Sequence, residues 1–244
     1  MKQSRFTGWS FSAALIIFLS SCGGNGNGNA STADSTAAND SAAKAASTII
    51  STPQNMVVVT HKVKNYATWL TAYDAHDSAR VASGLHNFVI GRGLQDSNVV
   101  MVALRIDDTA KAKAFIKDPG LKKAMEKGGV VGPPMISFIT ITWQDTAMID
   151  SKLRSIVSME VKDWSVWLKG FQDSKQERLN NGITDRAVGH DLDDDKKVNV
   201  VTVISDSAKA FAYYKSEALK NTRQKGGVIG EPSRFIYWVA KVYR

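Results

Sequence analysis

Hydrophobic and polar residues follow the same pattern twice along this chain, at a constant offset of 98 positions and without a gap. The segment VKNYATWL at residues 63–70 recurs as VKDWSVWL at residues 161–168, and KGGVVGPP at residues 127–134 recurs as KGGVIGEP at residues 225–232. Solenoid repeats are much shorter than this period. The pattern therefore predicts two fused copies of one small unit.

Each copy begins with a strand that is followed by a helix. The apolar run at residues 56–59 predicts the first strand. Large apolar residues then recur with helical spacing, namely Tyr66, Trp69, Leu70, Tyr73 and Val81 in the first copy, and Trp164, Trp167, Leu168, Phe171 and Leu179 in the second. Asn65 and Asp163 stand at N-cap positions. Gly84 and Gly182 stand where a glycine ends a helix.

The remainder of each copy predicts a hairpin, a second helix and a last strand. In the first copy the hairpin strands are residues 88–90 and 99–102, joined by a polar turn. The second helix begins at Asp108 or Asp206, and Pro119 interrupts it in the first copy alone. The last strand follows a Gly-Gly loop. The resulting order, βαββαβ, is that of a ferredoxin-like unit, so we predict an α+β fold.

The two faces of the predicted sheet are both apolar. Residues 56–59 cannot all point to one side of a strand, because side chains alternate between the two faces. The helices cover one face, so the other must be buried against another layer. We therefore expect the two repeats to close, sheet against sheet, into one intramolecular, pseudo-dimeric α+β barrel with its helices outside.

The first 54 residues predict an export signal followed by a tether. Lys2 and Arg5 precede an apolar run too short to span a bilayer as a mature helix, which predicts a signal peptide over residues 1–21. Leu19-Ser20-Ser21-Cys22 resembles the lipobox of bacterial lipoproteins, so we predict that Cys22 is lipidated. Residues 22–54 have too few large apolar side chains to offset chain entropy and predict a flexible tether, with repeats at 55–145 and 146–244.

This N-terminus predicts that the protein is located in the cell envelope. We expect a lipid-anchored protein on the periplasmic face of the outer membrane, because no acidic cluster follows Cys22. The net charge of +8 lies mostly on the second helices, as Lys111, Lys113, Lys117, Lys122, Lys123, Lys127, Lys209, Lys215, Lys220, Arg223 and Lys225. Such a face is solvated and tolerates anionic lipid headgroups. No nucleic-acid partner is expected.

The element order, the aromatic helix, the Gly84 stop, the hairpin and the loop GGVxGxP resemble the dimeric α+β barrel superfamily over residues 56–243. Its members include antibiotic-biosynthesis monooxygenase-like, stress-responsive and haem-degrading proteins. Most are homodimers, so the resemblance implies a fused and monomeric chain here. It also implies a cavity in each half between sheet and helices, lined by Trp69, Tyr73 and Phe88 in one half and by Trp167 and Phe171 in the other. The alternative is that these aromatic residues form plain core.

Two arginines and one histidine are the candidate polar groups. Arg80 and Arg178 fall near the apolar helix face, where each either pairs with a carboxylate of the sheet or receives an anionic ligand group. His61 is in phase with the apolar strand residues, and its counterpart is Met159. It is either a general base or ligand contact, or a buried neutral histidine bonded to backbone. His76 and His86 join it only if the helix end and second strand converge, and His190 is placed in a turn.

Two functions remain open at this stage. Haem degradation is disfavoured because the second helices carry no histidine or tryptophan. No metal site, cofactor, hydrolase triad or dinucleotide motif is predicted. The first hypothesis is a non-catalytic, lipid-anchored module that holds a small apolar or aromatic ligand, or a protein partner. The second is a cofactor-independent monooxygenase or isomerase in which His61 moves a proton while Trp69, Tyr73 and Arg80 hold an anionic aromatic substrate.

Overall fold

The structure, a computed structural model, describes residues 47–243. The predicted signal peptide, Cys22 and most of the predicted tether lie outside these residues. The strands are β1 Ile49–Ile50, β2 Gln54–Val63, β3 Leu85–Gly93, β4 Val99–Ile106, β5 Val130–Asp145, β6 Leu153–Val161, β7 Ile183–Asp191, β8 Lys197–Ile204 and β9 Val228–Val242. The helices are α1 Tyr66–Ala75, α2 Asp77–Ala82, α3 Thr109–Ile116, α4 Pro119–Lys127, α5 Trp164–Asp173, α6 Lys175–Asn180, α7 Ser207–Tyr214 and α8 Glu217–Lys225. Within the described range, none of these helices has the length and hydropathy needed to cross a membrane.

The strands form two antiparallel sheets that close on each other. The first repeat has the order β5-β2-β4-β3 and the second has β9-β6-β8-β7. Strand β3 pairs with β9, and β5 pairs with β7, so the eight strands make one closed barrel in the described part of the chain. The predicted α+β fold, two ferredoxin-like repeats forming one intramolecular barrel, is confirmed.

Each sheet buries both of its faces. Val57 packs with Trp69 and Leu85 in the layer between sheet and helices. Its neighbour Met56 packs with Tyr237 in the barrel interior. This alternation follows from the two-residue period of a strand. It explains why the apolar run of the first strand is continuous rather than alternating.

The predicted first helix is two helices in each repeat. The chain breaks at His76 between α1 and α2, and at Ser174 between α5 and α6. The break changes the helical phase, so Val81 and Leu179 are exposed instead of lying on the apolar face. The predicted helix ends are correct, because Gly84 adopts a φ of 69° that residues with a Cβ avoid.

The second helix is also broken in both repeats, whereas the sequence predicted a break in the first alone. Asp118 caps α4 by accepting from the backbone N–H groups of Gly120 and Leu121. Its counterpart Ser216 caps α8 in the same manner, with its Oγ 3.2 Å from the Leu219 N–H nitrogen. A side-chain acceptor is sufficient to begin the new helix, and a proline is not required.

The barrel begins earlier than the predicted boundary at residue 54. Strand β1 pairs with Gln144 and Asp145 at the end of β5. Thr146 donates its backbone N–H and its hydroxyl to the carbonyl oxygen of Thr48, at 2.7 and 2.8 Å. The predicted tether is therefore too long at its C-terminal end, because Ile49 and Ile50 supply β-branched residues to the open edge of β5.

Candidate functional site

The first repeat has a partly open cavity of about 790 Å³ between the outer face of its sheet and its four helices. Most of its lining is apolar, including Val59, Val102, Ile116, Leu121 and Ile136. Helix α4 covers it without burying any of its own residues. A space of this size is in the range of small-molecule sites in proteins.

An aromatic wall lines one side of this cavity. Trp69 and Tyr73 lie one helical turn apart on α1, with stacked rings whose centroids are 5.0 Å apart. The His61 ring lies 5.5 Å from the Trp69 ring, and the guanidinium carbon of Arg80 lies 3.7 Å from the centre of the Tyr73 ring. The structure thus brings together four of the residues that the sequence singled out.

His61 lies on β2 beside an irregularity in the pairing of β2 with β5. It is only 8% exposed, and neither ring nitrogen has a hydrogen-bond partner among residues 47–243. It is therefore not the backbone-bonded core histidine that was one sequence alternative. Burial lowers the pKa of His61 from 6.5 to about 4, because the charged ring loses its hydration. The imidazole is neutral at physiological pH.

The two candidate arginines have different partners. Arg178 donates from Nε and Nη2 to the two carboxylate oxygens of Asp185, both at 2.7 Å, and from Nη1 to Ser174 at 2.9 Å. This buried, bidentate ion pair is the structural role that the sequence analysis gave as one of two alternatives for the arginine. Arg80 donates from Nη2 to Asp77 at 3.0 Å, while its buried Nε has no partner in the described part of the protein.

The difference follows from two substitutions between the repeats. Asn87 stands at the position of Asp185, and His76 stands at the position of Ser174. Asn87 accepts a hydrogen bond from the Tyr73 hydroxyl and donates to Asp77 at 2.6 Å. It therefore cannot supply Arg80 with the carboxylate that Arg178 receives.

Unpaired buried polar atoms are concentrated around this cavity. Over residues 47–243 six such side-chain atoms occur, and four belong to residues that line it: both ring nitrogens of His61, Nδ1 of His76 and Nε of Arg80. Buried polar groups in native proteins almost always have a partner, and leaving one unpaired costs about 1–3 kcal/mol. The arrangement is typical of a site whose polar partners come from a bound molecule or from water.

The equivalent space in the second repeat is only about 90 Å³. Tyr214 and Arg234 replace Ile116 and Ile136 there. The guanidinium carbon of Arg234 lies 3.6 Å from the centre of the Tyr214 ring, and its Nη1 donates to Ser155 at 2.8 Å. Burial lowers the pKa of Arg234 to about 10. These side chains fill the volume that the first repeat leaves open.

The other predicted residues of the second repeat line this smaller space. Trp167 and Phe171 stack with ring centroids 5.2 Å apart, and the guanidinium carbon of Arg178 lies 3.6 Å from the centre of the Phe171 ring. They repeat the arrangement of Trp69, Tyr73 and Arg80. With so little open volume, they form packed core.

Phe88 does not lie with Trp69 and Tyr73 as the sequence suggested. It borders a separate space of about 190 Å³ in the barrel interior, with the guanidinium carbon of Arg105 4.4 Å from its ring centre. Asn87 instead forms hydrogen bonds with Tyr73 of α1 and Asp77 of α2. The pairing of β3 with β4 shifts register between Asn87 and Val89, so Phe88 lies at a β-bulge, and Phe88 and Val89 both pack in the barrel interior.

The three other histidines have different environments. His76 and His61 both line the cavity. The sequence predicted this only if the helix end and the second strand converge. His86 instead contacts the Asp107 carboxylate at 2.6 Å on the surface. His190 lies in strand β7 rather than in a turn, with its ring edge against Trp164 at 5.0 Å. In the described range no three His, Cys, Asp or Glu residues are grouped to hold a metal ion.

Sequence reasoning missed Asn87 and Ile136. Both contribute to the difference between the repeats, because Asn87 leaves Arg80 without a buried carboxylate and Ile136 leaves the cavity open. A position-by-position comparison at the offset of 98 contains both signals, as Asn87 against Asp185 and Ile136 against Arg234. The structure was needed to show that these positions surround one space.

Neither a protein-family model nor a curated protein matches the chain. Solved structures do match across most of both repeats. A protein from Fusobacterium nucleatum, described as a candidate monooxygenase, is 14% identical, with 79% of this chain and 95% of that chain covered and a TM-score of 0.53. An anthrone oxidase-like protein is 12% identical, with 80% and 95% covered and a TM-score of 0.53.

A third protein, described as a candidate chlorite dismutase, is 15% identical, with 78% of this chain and 96% of that chain covered and a TM-score of 0.52. At identities this low, such similarity establishes the fold and leaves the activity to be argued from the site. The chain therefore has the ferredoxin-like barrel fold that these proteins share.

Proposed function

We propose that the protein binds a small, mostly apolar ligand with a flat or aromatic body in the cavity of the first repeat, and that it does not catalyse a reaction of this ligand. The observation that supports this most directly is the set of four unpaired buried polar atoms around an otherwise apolar space of about 790 Å³. Apolar walls with a few convergent polar groups are what small-molecule sites have in common.

The contrast between the repeats favours a bound ligand over plain core. The same fold fills its second cavity with Tyr214 and Arg234, so the first cavity is not a consequence of the architecture. A cavity lined by buried, unpaired polar atoms costs stability, since those atoms lack hydrogen bonds and the apolar lining lacks dispersion contacts. Of the two occupants left open by the sequence, a small ligand matches the volume of this cavity and the buried position of its polar atoms.

A grafted variant tests this proposal. Val57→Ser, Ile116→Tyr and Ile136→Arg together give the first repeat the Ser155, Tyr214 and Arg234 of the second. The neutral fluorophore N-phenyl-1-naphthylamine serves as the probe. We expect the wild-type chain to bind it, and the graft to weaken binding by about tenfold or more, because the apolar volume is filled.

The control is Met135→Arg, which adds the same charge next to the cavity at a residue that is 70% exposed. It should bind the probe as the wild type does. Circular dichroism checks that each variant is folded, and the single change Ile116→Tyr provides a milder filling if the triple variant does not fold. Probe binding that survives filling, or that is absent from the wild type, contradicts the proposal.

The second candidate function is a cofactor-independent monooxygenase or isomerase, and His61 is the observation in its favour. A neutral, unpaired imidazole next to Trp69 in an apolar cavity can accept a proton. Two of the proteins with this fold are described as a candidate monooxygenase and as anthrone oxidase-like. Against it, a pKa of about 4 makes His61 a weak base, which favours binding.

Oxygen uptake with anthrone tests this candidate. In such a reaction His61 takes a proton from the methylene group of anthrone, the carbanion adds to dioxygen, and the hydroperoxide loses water to give anthraquinone. Uptake above the protein-free rate that His61→Met abolishes supports an enzyme. Uptake equal in both forms leaves binding as the function.

We also propose that the protein acts at the cell envelope, anchored through lipidated Cys22 and facing the periplasm at the outer membrane. The lipobox-like segment before Cys22 supports this address. The barrel closes between two halves of one chain, which supports a monomer.

A further inference from the structure

We infer that the ligand of the first-repeat cavity carries an oxyanion, of the carboxylate or sulfonate class, which binds the unpaired Nε of Arg80, the nitrogen whose counterpart in Arg178 binds Asp185. This inference rests on the proposed function. It adds the charge of the ligand and the end of the cavity at which that charge lies.

The two repeats supply the comparison. Arg178 uses three nitrogens, two toward Asp185 and one toward Ser174. At the same two positions the first repeat has Asn87 and His76, which cannot neutralise a guanidinium. Arg80 nevertheless remains an arginine, and it is as deeply buried as its counterpart, with an exposure of 4% against 7%.

Asp77 is a weaker counterion than Asp185. The Asp77 side chain is 50% exposed, whereas that of Asp185 is 6% exposed. Water screens the Asp77 carboxylate, and it reaches only Nη2 of Arg80. The buried Nε of Arg80 has no acceptor among the described residues. A buried charge without such an acceptor is costly, so the site favours an anion from outside the chain.

The charges around the cavity agree with this assignment. Besides Arg80, its ionisable lining consists of Lys117, Lys122, Asp118 and Glu126, together with Tyr73, His61 and His76. With Arg80 included, the lining has three cationic side chains and two carboxylates, so cations are in excess. Nδ1 of His76 adds a second unpaired polar atom at the break that leads into α2.

The contacts among these residues also indicate how the ligand is oriented along the cavity. Arg80 stacks on Tyr73, Tyr73 on Trp69, and Trp69 contacts His61, at 3.7, 5.0 and 5.5 Å. The charged group and the unpaired imidazole thus lie at opposite ends of one aromatic wall. The matching molecule has an oxyanion at one end, a flat apolar body, and a hydrogen-bonding group near His61.

A second graft tests the charge. In the second repeat the counterparts of Asp77 and Asn87 are Lys175 and Asp185, so Asp77→Lys with Asn87→Asp recreates the internal pair at Arg80. Two probes are compared on the full chain: 8-anilinonaphthalene-1-sulfonate and N-phenyl-1-naphthylamine, which has the same rings without the sulfonate. We expect the graft to weaken the sulfonate probe about tenfold or more, and the neutral probe by less than about twofold.

The graft makes the protein more positive by one charge, since Asp→Lys adds two and Asn→Asp removes one. A general electrostatic effect would therefore strengthen sulfonate binding, opposite to the expected result. Unchanged sulfonate binding, or an equal loss for both probes, overturns the inference. If the neutral probe binds and is displaced by filling the cavity while the Arg80 graft has no effect, the proposed function stands and the anionic class alone is wrong.

Discussion

At the scale of single residues, the two repeats differ at a few positions that decide where a ligand can bind. His61 and Met159 are equivalent residues of the two repeats. Each lines its space together with the equivalent tryptophan, Trp69 or Trp167. The thioether packs without a hydrogen bond, whereas the imidazole brings two nitrogens that the described residues leave unpaired. A histidine is therefore unnecessary for the fold at this position.

Replacing His61 with Met should remove a part of the acid sensitivity of the protein. The unfolded chain takes up a proton near pH 6.5, but burial holds the folded-state pKa at about 4. The unfolded state thus binds more protons between these values, and stability falls as the pH is lowered through that window. We expect this group to cost about 2 kcal/mol between pH 7 and pH 5.

Urea unfolding of the wild type and His61→Met at both pH values measures this term. The variant should lose less stability on acidification by about that amount. Equal losses in the two proteins would show that His61 is hydrated, and would remove the argument that it is held neutral.

At the scale of elements, the seams between the repeats have little space. Gly189 on β7 lies opposite Ile141 on β5, where the barrel closes. A Cβ added to Gly189 would lie 2.2 Å from the carbonyl oxygen of Thr140, which is backbone and cannot move aside. At the other seam, a Cβ on Gly91 would lie 2.2 Å from the ring of Tyr237. Both glycines allow close approach of two strands.

The change Gly189→Ala should therefore destabilise the barrel by about 3 kcal/mol, the upper end for overpacking. The matched control is Gly170→Ala on α5, where an added Cβ meets nothing within 4 Å. That change should stabilise the protein by about 0.5–1 kcal/mol, because alanine favours a helix over glycine. Denaturant unfolding of both variants provides the comparison, and equal effects would mean that the seam relaxes.

At the scale of the whole molecule, one chain supplies both walls of the barrel. Strands β5 and β9 are the longest, and each pairs with strands of both repeats. The interior is apolar on the first-repeat side, with Met56 and Phe88, where the second repeat has Arg154 and Arg186. Fusion of the repeats allows such asymmetry, which a homodimer of one unit does not have.

The proposed anchor is tested on the intact protein in cells. Cys22→Ser should abolish attachment of a diacylglyceryl group and move the protein from the membrane to the soluble fraction of the envelope. Mass spectrometry of the N-terminal peptide and detergent partitioning measure both effects. A mature wild-type N-terminus with an unmodified Cys22 would contradict the lipoprotein proposal.

The sequence alone determined the repeat, the element order and the closed barrel. These features depend on the hydrophobic period, the helix caps and the glycine positions, which are local patterns that occur in both repeats. The continuous apolar run at the first strand already required a sheet buried on both faces. The sequence did not predict the break at Ser216, because a capping side chain can begin a new helix without a proline. It also did not predict the break at His76, where no side chain caps the new helix.

Only the tertiary structure decided which repeat has a cavity and which of its polar groups are unpaired. Arg80 and Arg178 are equivalent in sequence, yet Arg178 pairs with buried Asp185 and Arg80 borders an open space. Cavity volume depends on side chains from five or more elements meeting at one place, and a one-residue change of face separates Asn87 from Phe88. No local pattern contains that information, because packing is a property of distant residues in contact.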